Sequence, residues 1–267
     1  MSVGPSPQSL ASVDGEIMPT AEATVPVHDE GLVRGDGVFE VMRVYDGVPF
    51  ALEEHLARLE RSGRNMRLPV DLEAVRADIH RLLARAGGGP AHAAVRVMLT
   101  RGGRRILITE EMHQLPGSAS LRSITYSPTH VLDGVKSLSY GANRLASRLA
   151  QEQGYDEALL VTPHGRVLEA PTSSLFWVKD GELLTPPLSD HILASITRAI
   201  IIEVTGAAER ATTLDELLSG EEAFLASTLR DVQPVGRIDE REFDAPGPVT
   251  AEATQAVERR IAELLAR

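Results

Sequence analysis

The sequence predicts an α+β protein of two domains in which most strands are joined as hairpins. Short apolar runs flank Asp-Gly pairs at 14–15, 46–47 and 180–181, and this dipeptide suits the two-residue turn of a β-hairpin. Other segments place apolar residues at i, i+4 and i+7, the period of a helix that packs on one face. With 267 residues, the chain is long enough for two domains of ordinary size.

Residues 1–117 are predicted to form the first domain. Its elements are a strand–turn–strand over Ser12–Met18, a strand over Val38–Tyr45, helices over Glu53–Met66 and Asp71–Ala86, and strands over Ala93–Thr100 and Arg105–Thr109. Leu52, Leu56 and Leu59 define one apolar face of the first helix. A Gly-Gly-Gly-Pro run at 87–90 ends the second helix. The segment 112–118, which contains Leu-Pro-Gly, is the predicted linker.

Residues 118–267 are predicted to form the second domain. Its elements are strands over Leu121–Tyr126, Glu157–Thr162, Arg166–Ala170, Leu175–Val178, Glu182–Thr185 and Ala223–Ala226, and helices over Arg144–Gln153, Ile196–Val204 and Thr250–Leu265. Leu145 and Leu149 share one face of the first of these helices, and Gly154 suits its C-terminal cap.

Composition excludes several classes of function. The net charge is −11 with no basic block, which argues against nucleic acid or an anionic membrane as a partner. The absence of cysteine excludes disulfides and thiolate chemistry and fits a reducing cytoplasm. The first ten residues lack a signal-peptide pattern, and no apolar stretch approaches the roughly 18 residues that span a bilayer. The eight histidines show no metal-ligand spacing, so we predict no metal site. From the cysteine content and the missing signal-peptide pattern, we predict a cytoplasmic protein.

Lysine is scarce in this chain, because 25 of its 27 basic residues are arginine and the two lysines are Lys136 and Lys179. A Schiff base with an aldehyde requires a primary amine, which arginine cannot supply. Lys179 precedes the Asp-Gly turn at 180–181, where a lysine is ordinarily solvated. Lys136 lies in a short apolar stretch before a helix. It is therefore the candidate for imine chemistry.

A polar stripe on the first helix has two interpretations. His55, Arg58 and Ser62 are spaced i, i+3 and i+7 beside the leucine face. A guanidinium presented in this way can bind a phosphate with its fork of donors. The alternative is a solvated helix face, which the local sequence favours.

Three further polar motifs also remain open from local sequence. Glu169 ends an apolar strand and is followed by the hydroxyl residues 172–174, a setting that suits a pyridinium nitrogen or, equally, a strand-end carboxylate in water. Ser195 is a predicted N-cap, and the amides of the helix it opens could bind a phosphate together with the Thr197 hydroxyl. Capping without a ligand is the commoner case. Ser227-Thr228-Leu229 is a second hydroxyl turn after a strand.

In combination, the motifs resemble the class IV (fold-type IV) pyridoxal-phosphate enzymes. This family includes D-amino-acid transaminases, branched-chain aminotransferases and aminodeoxychorismate lyases. The resemblance extends from about Val25 to Val235 and rests on the ordered set Gly35–Glu40, His55–Leu59, Lys136–Leu138, Val167–Glu169, Ser174–Phe176, Ile196–Arg198 and Gln233–Val235.

The resemblance implies a role for each polar motif. Lys136 would form the Schiff base with pyridoxal 5′-phosphate, and Glu169 would pair with its pyridinium nitrogen. The residues implied for its phosphate are Arg58, Ile196, Thr197 and Thr228. It also implies a small N-terminal α/β domain, a larger C-terminal pseudo-barrel α/β domain, and a homodimer.

The resemblance favours a transaminase that acts on D-amino acids and 2-oxo acids such as 2-oxoglutarate or pyruvate. The motifs Lys136–Leu138 and Glu40–Tyr45 are similar to those of the D-specific enzymes. Their Arg-x-His pair after a Thr-Arg-Gly turn is missing here, because Thr100-Arg101-Gly102 continues as Gly-Arg-Arg-Ile. The predicted substrate-binding residues are instead Arg34, Arg104, Arg105 and Leu229. The alternatives are an aminodeoxychorismate lyase, a branched-chain aminotransferase and a non-catalytic carrier of pyridoxal phosphate.

Overall fold

The structure is a computed structural model that describes residues 8–89, 92–112 and 114–266. Three features of the sequence prediction lie outside these residues. They are the beginning of the chain, where no signal-peptide pattern was found, the helix-ending Pro90, and His113 in the predicted linker.

The chain forms two compact units, and one short segment changes between them. The first unit comprises Met1–Gln114 and Val135–Tyr140, and the second comprises Leu115–Gly134 and Gly141–Arg267. The segment that carries Lys136 therefore belongs to the first unit, although it is flanked on both sides by residues of the second. The domain boundary at residue 117 stays a prediction.

The first unit is built on a six-stranded antiparallel sheet. Its strands are β1 (Leu10–Val13), β2 (Glu16–Pro19), β3 (Gly37–Tyr45), β4 (Val48–Pro49), β5 (Ala94–Thr100) and β6 (Arg105–Glu110), in the order β2-β1-β6-β5-β3-β4. Its helices are α1 (Glu30–Arg34), α2 (Leu52–Asn65) and α3 (Leu72–Ala86). Helix α1 was not predicted, because it has five residues and includes Gly31; Asp29 caps it by accepting from the Gly31 amide at 2.8 Å.

Local sequence accounts for most of this unit. The hairpin turns at 14–15 and 46–47 have positive φ at both residues, as a type I′ turn requires, and Asp-Gly tolerates this conformation. Asp71 caps α3 by accepting from the Ala74 amide at 3.0 Å, and Gly87 ends this helix at φ 72°. Leu56 and Leu59 of α2 are buried in the core of the sheet, as the apolar period predicts.

Among its described residues, the second unit combines a mixed sheet with four α-helices. Its strands are β7 (Ala119–Thr125), β8 (Glu157–Val161), β9 (Ser174–Lys179), β10 (Glu182–Thr185), β11 (Ala208–Glu209), β12 (Glu222–Ser227), β13 (Asp231–Ile238) and β14 (Arg241–Glu242). Its helices are α4 (Gly141–Glu152), α5 (Ile196–Thr205), α6 (Leu214–Leu218) and α7 (Pro248–Leu265). The strand order is β11-β10-β9-β12-β13-β7-β8, with β14 paired to β13.

Hairpins connect fewer strands of this sheet than the sequence predicts. The pairs β7–β8, β7–β13 and β10–β11 are parallel. Parallel neighbours need a long crossover, and α4 lies in the one between β7 and β8. The predicted α+β class is confirmed, and the core of this unit includes Trp177, Leu175 and Leu225.

The predicted strand at Arg166–Ala170 is present as a partial pairing. The Leu168 amide donates to the Leu160 carbonyl, and the Leu160 amide donates to the Glu169 carbonyl, each at 2.9 Å. Beyond these bonds the segment forms isolated bridges rather than a continuous strand. This pairing fixes the backbone of Glu169 beside β8.

Helix α4 has the opposite burial from the one its leucines suggest. Leu145 and Leu149 share a face, as predicted, but they are 50% and 38% exposed. The residues that contact the sheet are small, namely Ala146, Ser147 and Ala150. None of the helices formed by the described residues is both long and apolar enough to cross a membrane.

Candidate active site

Lys136 lies on a short extended segment beside β3. The Phe39 amide donates to the Lys136 carbonyl, and the Leu138 amide donates to the Gly37 carbonyl, both at 2.9 Å. A Cβ on Gly37 would collide with the Leu99 carbonyl and the Leu138 side chain, so glycine permits this close approach. The backbone of Lys136 is therefore held in place by β3.

The amine of Lys136 lies against an aromatic ring. Its Nζ is 4.5 Å from the centroid of the Phe39 ring, a cation–π geometry worth about 0.5–2 kcal/mol. Tyr140 contacts the same ring edge-on at 5.5 Å. Lys179, by contrast, donates to the Ser219 carbonyl at 3.1 Å, as expected for a lysine beside a turn. The two lysines are thus in different environments, and that of Lys136 is the specialised one.

The polar stripe on α2 is buried, so the solvated-face interpretation is wrong. Side-chain exposure is 0% at His55 and 5% at Arg58. The physical reason is Glu40, a carboxylate inside the apolar strand β3. Arg58 Nε and Nη2 each donate to Glu40 at 2.7 Å, and His55 Nδ1 lies 2.8 Å from Glu40 Oε2. Ser62 completes the stripe by accepting from the Lys136 amide at 3.2 Å.

Burial and neighbouring charges shift the pKa values of Glu40 and His55. Burial alone would raise the pKa of Glu40, but the hydrogen bonds and charges of Arg58 and then His55 outweigh it and lower that pKa to about 2. Burial also lowers the pKa of His55, so its ring is neutral near pH 7. Because a carboxylate accepts only, Nδ1 of His55 carries the proton. Its Nε2 is then a bare acceptor, buried and without a hydrogen-bond partner among the described residues.

Glu169 is half-buried and held by backbone, so it is more than a strand-end carboxylate in water. Its Oε1 accepts from the Leu193 amide at 3.0 Å. The pKa of Tyr126 is raised, first by burial and then by the charge of Glu169. Tyr126 in turn donates to Asn143, which donates to the Pro171 carbonyl at 3.2 Å. Glu169 thus lies in a partly dry, ordered environment.

Helix α5 begins with the features of an anion-binding terminus. Ser195 is its N-cap, as predicted, and accepts from the Arg198 amide at 3.3 Å. Its first turn contains no acidic residue, and Thr197 is buried. The positive end of the helix dipole and the amides of Ile196 and Thr197 therefore favour an anion.

The predicted hydroxyl residues in the second unit have different roles. Thr228 and Leu229 are half-buried in the turn between β12 and β13. Of the hydroxyls that follow Glu169, Thr172 donates to Glu157 at 3.3 Å. Ser173 and Ser174 are buried, and their Oγ atoms have no hydrogen-bond partner in the part of the chain that the structure describes. Only part of the predicted hydroxyl shell is therefore hydrogen-bonded within the described protein.

The three candidate arginines for a substrate carboxylate differ in availability. Arg34 ends α1 with its side chain 71% exposed and pairs with Glu30 at 2.8 Å. Arg104 pairs with Asp14 at 2.5 Å. Arg105 bonds to Asp78, whose carboxylate is fully buried. A surface pair such as that of Arg34 is worth about 0–1 kcal/mol, so Arg34 is the easiest of the three to recruit.

The site residues predicted from sequence fall into two groups, one in each unit. The first unit contains Lys136, Arg58, Arg34, Arg104 and Arg105, and the second contains Glu169, Ile196, Thr197, Thr228 and Leu229. Glu40 and His55 had no predicted role of their own. The signal for Glu40 was present, because an acid inside the apolar run Val38–Tyr45 needs a buried partner.

Comparison with known proteins identifies the family. The model for "Amino-transferase class IV" matches residues 37–238. A Methanocaldococcus jannaschii protein named "Putative branched-chain-amino-acid aminotransferase" is 34% identical over 86% of this chain and 88% of its own length. A D-alanine aminotransferase of Bacillus licheniformis is 30% identical over 93% of this chain and 95% of its own. The chain belongs to the class IV aminotransferases.

Solved structures agree with this assignment. A fold IV transaminase, CpuTA1, from Curtobacterium pusillum has a TM-score of 0.83 and 28% identity, covering 97% of this chain and 99% of that one. The PLP-bound form of a hypothetical aminotransferase from Mycobacterium tuberculosis has a TM-score of 0.86 and 25% identity, covering 95% and 99%. The predicted fold type and the predicted cofactor of the family, pyridoxal 5′-phosphate, are confirmed.

The residues present fit this cofactor chemically. An amine suits its aldehyde, and a carboxylate suits its pyridinium nitrogen. A guanidinium and an acid-free helix terminus suit its phosphate. The buried hydroxyls of Ser173 and Ser174, a few residues after Glu169, have no hydrogen-bond partner among the described residues and could bond to a ligand.

Proposed function

We propose that this class IV aminotransferase moves an amino group between a D-amino acid and a 2-oxo acid such as 2-oxoglutarate or pyruvate, in a ping-pong reaction. The observation that carries the catalytic part is the position of Lys136, whose backbone is held by β3 and whose amine lies on Phe39. The D-preference is supported by the motif Lys136–Leu138 and by the D-alanine aminotransferase relative.

Each polar group has a proposed role toward the cofactor. Lys136 binds its aldehyde carbon. Arg58, the amides at the start of α5 with the Thr197 hydroxyl, and Thr228 bind its phosphate. Glu169 accepts from its ring nitrogen and keeps that nitrogen protonated, because a carboxylate stabilises the adjacent positive charge.

Bound pyridoxal phosphate supplies an electron sink for the electrons of the substrate Cα–H bond. The protein supplies the proton transfer. With the cofactor bound, the Nζ of Lys136 would take the proton from the substrate Cα and later return a proton to the substrate, acting as base and then as acid. The contact with Phe39 would limit the range of positions open to this amine, and correct placement of a catalytic group favours the reaction.

Substrate binding is proposed to involve Arg34 and Leu229. An α-carboxylate in a partly dry site needs a cationic partner, and Arg34 gives up only a surface ion pair with Glu30 to provide one. Arg104 and Arg105 are the competing candidates, and each would have to leave a carboxylate that already binds it. Leu229, next to Thr228, is proposed to contact the substrate side chain.

A half-reaction screen tests this proposal directly. Purified protein loaded with cofactor is mixed with single D- or L-amino acids, and the change in cofactor absorbance is followed. D-alanine or D-glutamate should react fastest. Faster reaction with L-leucine would move the assignment to a branched-chain enzyme, as the M. jannaschii relative suggests. Pyruvate release from aminodeoxychorismate without transamination would indicate a lyase, and no reaction at all would indicate a carrier.

Borohydride reduction tests the role of the lysine separately. Reduction followed by peptide mapping should place the cofactor on Lys136. A label on Lys179 would contradict the proposal. In Glu169→Gln, cofactor should still bind, but proton transfer should slow by orders of magnitude, since the amide cannot stabilise a protonated ring nitrogen as a carboxylate does.

We also propose that the protein is cytoplasmic and forms a homodimer. The homodimer is supported by the exposed leucines of α4 and by the exposed apolar residues Val27, Leu32 and Val33 around α1. Apolar side chains grouped in this way commonly mark an association surface. The expected partners are otherwise small molecules, with no nucleic acid or membrane.

A further inference from the structure

The turn between β12 and β13 is held by an arginine that no role assigned above uses. Arg230 directly follows Leu229, and its amide donates to the Ser227 carbonyl at 3.0 Å to close the turn. Its Nη2 donates to Glu157, and its Nη1 donates to Gln233 Oε1 at 2.6 Å. The Arg230 side chain is 15% exposed. The turn that carries Thr228 and Leu229 therefore ends in a largely buried guanidinium that is hydrogen-bonded to both Glu157 and Gln233.

The carboxylate that binds Arg230 connects several segments of the second unit. Glu157, the first residue of β8, is 8% exposed at its side chain. Its Oε1 accepts from Ser147 of α4 at 2.9 Å, and its Oε2 accepts from Thr172 at 3.3 Å. Thr172 lies three residues after Glu169. A single carboxylate thus links helix α4, the segment of Glu169 and the turn of Thr228.

The other edge of the guanidinium is fixed as well. Gln233, on β13, is 4% exposed, and its Nε2 donates to the Pro116 carbonyl at 3.1 Å. Because both edges of a planar fork are bonded, the orientation of Arg230 is set, whereas one contact would leave it free to rotate. Because Thr228 and Leu229 directly precede Arg230 in the turn, fixing Arg230 also restricts the positions of their backbone.

We propose that Arg230 and Glu157 are positioning residues that hold Thr228 in place for the cofactor phosphate and Leu229 in place for the substrate. The inference rests on the proposed role of Thr228. A buried ion pair is by itself weak evidence of stabilisation, since apolar replacements are often as stable. The Arg230–Glu157 pair connects three segments, including the segment of Glu169. This arrangement suits a role in positioning the turn better than a role in stability.

The test compares affinity for pyridoxal phosphate with affinity for pyridoxal, which lacks the phosphate. Each compound is titrated into full-length protein freed of cofactor, and the affinity ratio reports phosphate recognition. Arg230→Ala should lower this ratio roughly tenfold, as expected when one charge-assisted hydrogen bond is misplaced. The matched control is Arg122→Ala, which removes a half-buried arginine paired with Asp239 at 3.2 Å in the same unit. The control should preserve the ratio within about twofold.

A second substitution shows whether Arg230 acts through Thr228. Thr228→Val should also lower the ratio, and Arg230→Ala should add little in that background, because coupled residues are non-additive. Full additivity would overturn the inference. Should Arg230→Ala fail to fold, Glu157→Gln with Arg230→Met removes both charges together and leaves no buried charge without a partner.

The outcomes separate this inference from the proposed function. If Thr228→Val lowers the ratio but Arg230→Ala behaves like Arg122→Ala, the positioning role is refuted and the phosphate site stands. A wild-type protein without preference for the phosphate, or an unchanged ratio in Thr228→Val, refutes the phosphate role of Thr228 and the inference with it. General loosening of the fold would weaken both compounds in parallel and leave the ratio unchanged, which also counts against positioning.

Discussion

Helices α2 and α4 are both amphipathic, and each packs on the sheet of its own unit, but they bury opposite kinds of residue. Helix α2 buries the charged Arg58 and the polar His55 together with its leucines. Helix α4 exposes Leu145 and Leu149 and buries Ala150. Polarity alone would predict the reverse for Arg58 and His55 and for Leu145 and Leu149.

The difference shows that the facing surface decides burial. Beside α2, strand β3 offers the carboxylate of Glu40, which satisfies two buried cationic or polar groups at once. Beside α4, strand β8 approaches closely enough that small side chains fill the contact. A buried charge therefore indicates a matched partner inside the unit, and the exposed leucine pair is available to the homodimer interface proposed above.

The largest effect should follow from removing the partner of the buried charges. Glu40→Ala leaves Arg58 and His55 buried without their acceptor, and breaking a buried pair in this way costs about 3–5 kcal/mol. Urea denaturation measures the loss in unfolding free energy. Glu53→Ala, on α2 itself, removes an exposed carboxylate paired with Arg76 and should cost about 1 kcal/mol or less. Equal losses would show that burial of the α2 stripe has no energetic weight.

Acid should weaken the first unit through Glu40. Its pKa is about 2 in the folded protein against an ordinary 4.5, so below pH 4.5 the unfolded chain takes up a proton that the folded chain refuses. The stability contributed, up to about 3 kcal/mol, is present above pH 4.5 and lost as pH falls toward 2. His55, whose pKa burial lowers from 6.5, acts in the same direction below pH 6.5.

The pH effect is measured by urea unfolding of wild type and Glu40→Gln between pH 7 and pH 3. The variant should be less stable at pH 7, but its stability should fall less on acidification. Parallel pH profiles of the two proteins would rule out Glu40 as the source of the acid sensitivity.

A smaller effect should come from enlarging the buried face of α4. Ala150 is fully buried, and Ala150→Leu should overpack the contact with the sheet at a cost of about 1–3 kcal/mol. Ala142→Leu makes the same substitution at an exposed position of this helix and should change unfolding free energy by less than about 0.5 kcal/mol. Similar costs at both positions would mean that close packing does not determine the burial of α4.

The smallest effect on stability should come from changing the exposed leucines. Leu145→Glu with Leu149→Glu should leave the unfolding free energy of the chain within about 0.5 kcal/mol, yet dissociate the proposed homodimer. Sedimentation equilibrium measures the mass, and Leu188→Glu, an exposed leucine elsewhere in the second unit, is the control. A double variant that keeps the mass of the wild type would exclude this face of α4 from the dimer interface.

Much of the fold could be predicted because local chemistry determines it. The Asp-Gly pairs that lie between apolar runs indicate hairpins, and the cap of α3 is visible as Asp71. The rest could not be predicted for two reasons. Helix α1 is too short to show a period, and other features depend on distant partners, as the parallel neighbours of β7 are brought together by pairings that cross many residues. The exposed face of α4 depends on how closely β8 approaches.

The candidate site shows the same division. The scarcity of lysine singled out Lys136, and the order of motifs indicated the family. The burial of Arg58 was not visible, because its partner Glu40 lies 18 residues away on another element. Arg230 and Glu157 are 73 residues apart, so nothing in the local sequence of either indicates the pair.

The placement of Val135–Tyr140 has a consequence for how the molecule is made. This segment pairs with the edge of β3, so the first unit cannot be completed while synthesis has reached only residue 114. The hydrogen bond from the Leu138 amide to the Gly37 carbonyl closes a loop of about a hundred residues. Such non-local pairings slow folding. The lysine proposed for catalysis is therefore among the last residues to join the unit that holds it, and a nascent chain acquires its reactive amine in place only after part of the second unit has been synthesised.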